Sequence, residues 1–300
     1  MGSPSSPGFE DLRFGVISDV HLTFRPASQG CDSDRVSTPE ARHARFLETA
    51  REWNADVVIN LGDLHPPSLT ADCWQRTIEA WEEWTGESVI ALGNHDPDSV
   101  DRDAYMDAVG MPAAYYEARV GDWTVFVLSS GDPAYGPGTP VEHPAEEQLD
   151  WLRAGLEKAD GRCLLVAHNG TNEVLPGGSV PKRMRSLIRE VNESATYCKV
   201  VGYFWGHDHR THVERVDGVY HVLVNSATYR WDAEAGPLFY RDPAPYAMDV
   251  FDGETGDLRL EGTGVPGNWA IPDCAEILTE ATPEDDMTYQ ASVDDLPTRS

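Results

Sequence analysis

The sequence predicts an α/β protein with its functional site at the C-terminal ends of adjacent strands. Two observations carry this. Five apolar runs read as buried strands: Phe14–Ser18, Val57–Leu61, Ser88–Leu92, Cys163–Ala167 and Val200–Trp205. Each is followed at once by polar residues of a few chemical kinds: Asp19-Val20-His21, Gly62-Asp63, Gly93-Asn94-His95-Asp96, His168 and Gly206-His207-Asp208-His209. Carboxylate, carboxamide and imidazole are the donors that hard and borderline divalent metals prefer. Strand ends are where open α/β sheets place such groups.

The elements follow in order. Residues 1–10 are rich in Ser, Pro and Gly and are expected to be loose. After a polar loop from Thr23 to Ser37, Thr38 caps a helix with Pro39 at its first position, and Phe46, Leu47, Ala50 and Trp53 share one face. A second helix, Thr70 to Thr85, carries Trp74, Ile78 and Trp81 at helical spacing, a pattern for packing on a sheet. A hairpin joins 116–120 to 123–128 through Gly121-Asp122, and a helix over 144–158 aligns Leu149, Leu152 and Leu156. A further hairpin turns at Asp217-Gly218, and strands near 248–251 and 258–260 complete a second sheet. One domain over 11–272 is expected, followed by an acidic, disordered tail over 273–300.

Composition narrows the class. Acidic residues number 51 against 23 basic ones, a net charge of −28, with lysine only at 158, 182 and 199. Such a surface repels itself in dilute buffer and also repels polyanions, which argues against a nucleic-acid partner. Molar salt shortens the Debye length to about 3 Å and removes the repulsion, so the composition points to a halophilic protein. No apolar run approaches the roughly 20 residues of a membrane span, and the start has no signal-peptide pattern, so a cytoplasmic protein is expected. The five scattered cysteines form no CxxC pair and suggest neither disulfides nor a zinc knuckle.

Taken in order, the five polar blocks resemble the pattern DxH, GD, GNH(D/E), H, GHxH of the calcineurin-like metallophosphoesterases, over roughly residues 12 to 230. The resemblance implies a four-layer α/β/β/α sandwich of two mixed sheets flanked by helices. It also implies two divalent ions, of Mn, Fe, Zn or Co, about 3.5–4 Å apart, which clamp a phosphate ester and lower the pKa of a bridging water. Carried over by position, one ion takes Asp19, His21, Asp63 and His209, and the other takes Asp63, Asn94, His168 and His207. Asp63 bridges, because a carboxylate can span two ions and a neutral imidazole cannot. His95 protonates the leaving alkoxide, with Asp96 as its supporting partner.

The chain departs from many relatives in having Leu64-His65-Pro66 where a further acidic residue is common, and Asn169-Gly170 after the lone histidine. The expected substrate is a small phosphate ester. A nucleotide-like phosphodiester is placed first, from similarity to small cyclic-nucleotide phosphodiesterases in Gly93–Asp96 and Glu147–Leu152. A phosphomonoesterase, a DNA-processing nuclease and a non-catalytic protein-binding scaffold are the alternatives. Asn94, His95, Tyr229, Trp231 and Arg183 are the expected substrate contacts, the last three from Gly/Pro-rich segments at strand ends. The rival reading has these aromatics closing the core. His43, His143, His212 and His221 are expected on element surfaces, and His65 at the rim of the site.

Overall fold

The structure, a computed structural model, describes residues 8–22, 38–65, 71–96, 102–129, 146–170, 182–232, 236–239, 245–263, 288–291 and 298–299, with side chains at 71–75, 182–183, 230–239 and beyond 259 excepted. One sheet runs in the order β14 (Thr288–Ala291), β13 (Leu258–Thr263), β12 (Ala247–Phe251), β1 (Leu12–Ile17), β2 (Val57–Asn60), β3 (Glu87–Ile90). The other runs β15 (Thr298–Arg299), β8 (His212–Val216), β9 (Val219–Leu223), β7 (Val200–Gly206), β6 (Cys163–Asn169), β5 (Trp123–Leu128), β4 (Tyr116–Val120). A two-stranded ribbon, β10 (Tyr229–Asp232) with β11 (Gly236–Phe239), stands apart. The helices are α1 (Pro39–Glu52), α2 (Ala71–Glu82), α3 (Arg102–Val109), α4 (Glu146–Lys158) and α5 (Lys182–Ser194).

Side-chain alternation builds the layers. Central strands are apolar on both faces, as expected for strands covered twice. Phe14, Val16, Val57 and Ile59 of the first sheet meet Val125, Val127, Leu164 and Val166 of the second in one core. The residues between them face outward. Ile17, Val58 and Ile90 pack with Phe46, Leu47, Ile78, Trp81 and Tyr105 of α1, α2 and α3. Phe126, Leu128, Cys163 and Leu165 pack with Leu149, Leu152, Leu156, Leu187 and Ile188 of α4 and α5. This is the four-layer order expected from the sequence. Both sheets are mixed: β1, β2 and β3 are parallel, as are β5, β6, β7 and β9, while β12 pairs antiparallel with β1, β4 with β5 and β8 with β9.

Local expectations hold where local chemistry decides. Thr38 caps α1, its side chain accepting from the Ala41 N–H at 3.3 Å, with Pro39 in the first turn. Both predicted hairpins form in register. The histidines behave differently from the surface placement expected of them. His43 on α1 is buried beside Trp81, and His221 on β9 is buried beside Tyr203 and Trp205; burial pushes both pKa values down to about 4. Of the acidic segment 273–300, residues 288–291 and 298–299 are described, pairing with β13 and β8. Residues 1–7 lie outside the described residues, as does His143. Among the described residues no helix is long and apolar enough to cross a membrane.

Candidate metal centre

Both sheets deliver polar residues to one end of the sandwich. Asp19 and His21 follow β1, Asp63 follows β2, and Asn94, His95 and Asp96 follow β3. His168 lies in β6, and His207 and His209 follow β7. The loops after β1 and β2 stay hydrogen-bonded to each other, through Asp19 N–H to Gly62 C=O and His21 N–H to Asp63 C=O. Seven described non-glycine residues have left-handed backbone, and five of them are Asp19, His21, Asp63, His207 and His209. Such φ values are costly for side-chain-bearing residues and cluster at functional sites. Here they curl the chain at the strand ends instead of extending it.

Two motif glycines have a steric reason. A Cβ at Gly93 would collide with the backbone N and carboxylate of Asp63, and one at Gly206 would collide with Ser18 and the carboxylate of Asp19.

The side chains form two groups, Asp19 with His21 and His209, and Asp63 with His168 and His207, each with donor atoms within 4.8 Å of one another. One oxygen of Asp63, Oδ2, faces both groups, 3.4 Å from His168 Nε2 and 4.0 Å from His21 Nε2. Asn94 Oδ1 is 3.0 Å from His168 Nε2. Backbone oxygens fix the imidazoles: His21 Nδ1 donates to the His65 carbonyl at 3.0 Å and His168 Nδ1 to the Leu61 carbonyl at 2.7 Å. The backbone of Tyr229 hydrogen-bonds the His209 ring. A carbonyl can only accept, so Nδ1 of His21 and of His168 carries a proton and Nε2 faces inward, the orientation of metal-ligating histidines, which give the Nε2 lone pair to a cation once any proton there has left.

These residues fit divalent cations. His21 Nε2 and His209 Nε2 face each other at 3.4 Å, a repulsive contact of lone pairs unless a proton or cation lies between. Burial would raise the Asp19 carboxyl, yet His209 and His168 hold it well below the usual range. Asp63 is drawn down to about 2 against its burial, chiefly by His168. Burial would lower His168, but Asp63 and Asp19 push it up to about 10. Two buried carboxylates therefore demand positive charge, and metal binding meets that demand with release of the protons.

The candidate catalytic pair divides. The His95 side chain is 32% exposed, its Nε2 4.0 Å from Asp63 Oδ2, and its backbone N–H donates to Asp63 Oδ1 at 2.8 Å. Asp96 is buried. Its Oδ2 accepts the N–H groups of Gly93 at 2.7 Å and Asp63 at 3.1 Å, and its Oδ1 accepts that of His65 at 3.1 Å. Burial and the neighbouring Asp63 raise the Asp96 carboxyl to about 7. Asp96 thus ties together the loops after β2 and β3. His65 is buried, with its ring against Tyr105, and does not stand at the rim expected for it.

Among the expected substrate contacts, the Tyr229 ring lies on His21 and His209, at 5.2 and 4.7 Å between centroids. The backbones of Trp231 in β10 and Arg183 in α5 are described, and their side chains lie outside the described residues. Ser18, whose Oγ donates to Asp19 Oδ2 at 2.5 Å, and Ser226, whose Oγ donates to the Asp19 carbonyl at 2.9 Å, were not identified by motif. A serine at a strand end has no pattern that separates it from an ordinary turn residue.

Comparison with known proteins points to one family and one fold. The model of the family described as calcineurin-like phosphoesterase matches residues 12–211. Among solved structures, a dimetal phosphatase from Danio rerio is 14% identical, covers 83% of this chain and 94% of its own, and superposes with a TM-score of 0.58. The anchor of the inner membrane complex of Plasmodium is 12% identical, covering 84% of each chain, at 0.55. A putative 5'-nucleotidase from Staphylococcus aureus is 16% identical, covering 85% of this chain and 51% of its own, at 0.50. At these identities the likeness is one of fold. None of the curated proteins matches this chain.

Proposed function

This chain belongs to the calcineurin-like phosphoesterase family, metal-dependent phosphoric ester hydrolases that use two divalent ions, and from that premise we propose that it hydrolyses a small organic phosphodiester. The observation that carries the dinuclear reading is Asp63 Oδ2 set between the two donor groups. In this reading Asp19, His21, Asp63 and His209 hold one ion, and Asp63, Asn94, His168 and His207 hold the other. When bound, such a pair supplies Lewis acidity toward the phosphoryl oxygens and a water acidic enough to react near neutral pH.

The chain's own groups do the rest. Asp63 presents one oxygen to both groups while its other oxygen holds the His95 backbone in place. His95, at the open side of the site, gives a proton from its ring to the leaving alkoxide. Asp96 acts through backbone amides, fixing the Asp63 and Gly93 loops, and is a positioning residue in this scheme. A diester is favoured over a monoester by the likeness of Gly93–Asp96 and Glu147–Leu152 to small cyclic-nucleotide phosphodiesterases. Trp231 and Arg183 remain the proposed rim contacts. The acidic composition is read as adaptation to high salt.

Metal analysis of protein purified in high salt, followed by a screen of aryl monoesters, cyclic nucleotides and dinucleotides with added Mn²⁺, tests the proposal. Two ions per chain and higher kcat/KM on diesters are expected. Preference for monoesters would overturn the diester assignment, and no hydrolysis with both ions bound would favour a scaffold.

A further inference from the structure

The connection between β9 and β10 is held by contacts that the metal motifs do not require. Ser226 Oγ, besides donating to the Asp19 carbonyl, accepts the N–H groups of Thr228 at 3.1 Å and Tyr229 at 3.2 Å. Thr228 Oγ1 donates to the Val20 carbonyl at 2.6 Å, and the Ala227 N–H donates to the Ser18 carbonyl at 2.9 Å. The turn is therefore bonded to three consecutive residues of the loop that carries Asp19 and His21. From behind, the buried Arg42 guanidinium of α1 donates to the carbonyls of Ala227 at 2.8 Å and Thr228 at 3.3 Å.

This frame fixes one aromatic ring. Tyr229 stacks on His21 with 25° between ring planes and meets His209 edge-on at 67°. Both histidines belong to the donor group of Asp19. In the other group His168 and His207 pack on each other, edge to face at 5.1 Å. One donor group is thus buttressed by a tyrosine from a separate element, and the other by its own members.

Building on the dinuclear reading above, we infer that Tyr229 is a positioning residue for the ion held by Asp19, His21 and His209. Its ring sets the angle of both imidazoles, and the turn built on Ser226 sets the ring. Nearby groups that orient metal ligands typically contribute 10–100-fold to affinity. The effect falls first on that ion, because the Tyr229 ring lies against His21 and His209.

Calorimetric and visible-absorption titration of the metal-free full-length protein with Co²⁺ tests this. Tyr229→Leu should weaken one of two Co²⁺ sites by about 10–100-fold and leave the other at wild-type affinity. Tyr229→Phe, which keeps the ring, should recover most of that loss. Ser226→Ala, a smaller change that keeps Tyr229, should weaken the same site and covers the case in which Tyr229→Leu fails to fold. Two unaltered Co²⁺ sites in folded Tyr229→Leu, with a raised KM for nucleotide esters alone, would overturn the inference and make Tyr229 a substrate platform. Wild-type protein that takes up fewer than two Co²⁺ would overturn the dinuclear reading and this inference with it.

Discussion

Two groups of carboxylates in this protein solve opposite problems. Asp19, Asp63 and Asp96 are buried at the strand ends, each engaged by backbone N–H groups or imidazoles. Glu52, Asp56, Glu82, Glu146, Asp150, Glu157 and Glu193 are among many that face solvent. A buried charge is tolerated only when paired and hydrogen-bonded. An exposed one costs little alone, yet a net charge of −28 makes the sum repulsive. The inside therefore calls for a few cations at fixed points, and the outside calls for screening by many mobile ones.

The largest effect should come from inside. Asp63→Asn removes the charge that faces both donor groups, so most bound metal and nearly all turnover should be lost, measurable by elemental analysis and a nitrophenyl ester assay. Full occupancy in that variant would remove Asp63 from the bridging role.

His95 separates chemistry from binding at the same site. His95→Asn should leave metal content intact while lowering turnover by about 10²–10⁴-fold, the scale of general acid catalysis. The loss should shrink for nitrophenol leaving groups. A uniform loss across leaving groups would assign His95 to phosphate binding alone.

Melting experiments set the two populations against each other. Raising KCl from about 0.1 to 2 M should raise Tm strongly as surface repulsion is screened. Chelation at constant high salt should lower it, because ligands that bind only the folded state stabilise it. A flat salt profile would break the halophilic reading, and a chelator-insensitive Tm would break the claim that interior carboxylates need divalent ions.

The smallest effect belongs to any single exposed charge. Glu193→Gln on α5 should change stability by no more than about 0.5 kcal/mol in moderate salt. A larger change would mean that the surface charge acts through specific pairs and not as a diffuse field.

Residue order made the five strands before the polar blocks, the two hairpins, the capped α1 and the donor residues legible, because each depends on neighbours within a few positions, whereas β10 and β11 lie in a segment that reads as a loop. Thr38 with Pro39 specifies a helix start, and Asp217-Gly218 specifies a turn, whatever surrounds them. The burial of His43, His65 and His221 was not legible in the same way. Nothing local distinguishes a histidine under a helix from one on its surface, and only the packing of α1 and of the second sheet decided it. The same holds for Asp96, whose oxygens are taken by amides from two loops about thirty residues apart in sequence.

The sequence alone determined which atoms are available as ligands and at which strand ends they sit. The tertiary structure decided how they converge: the left-handed turns at Asp19, His21, Asp63, His207 and His209, the division into two donor groups about Asp63, and the Tyr229 ring laid against one of them. The physical reason is range. Ligand identity and strand periodicity are written in consecutive residues, while convergence depends on two sheets packing face to face and on carbonyls and amides contributed by distant loops.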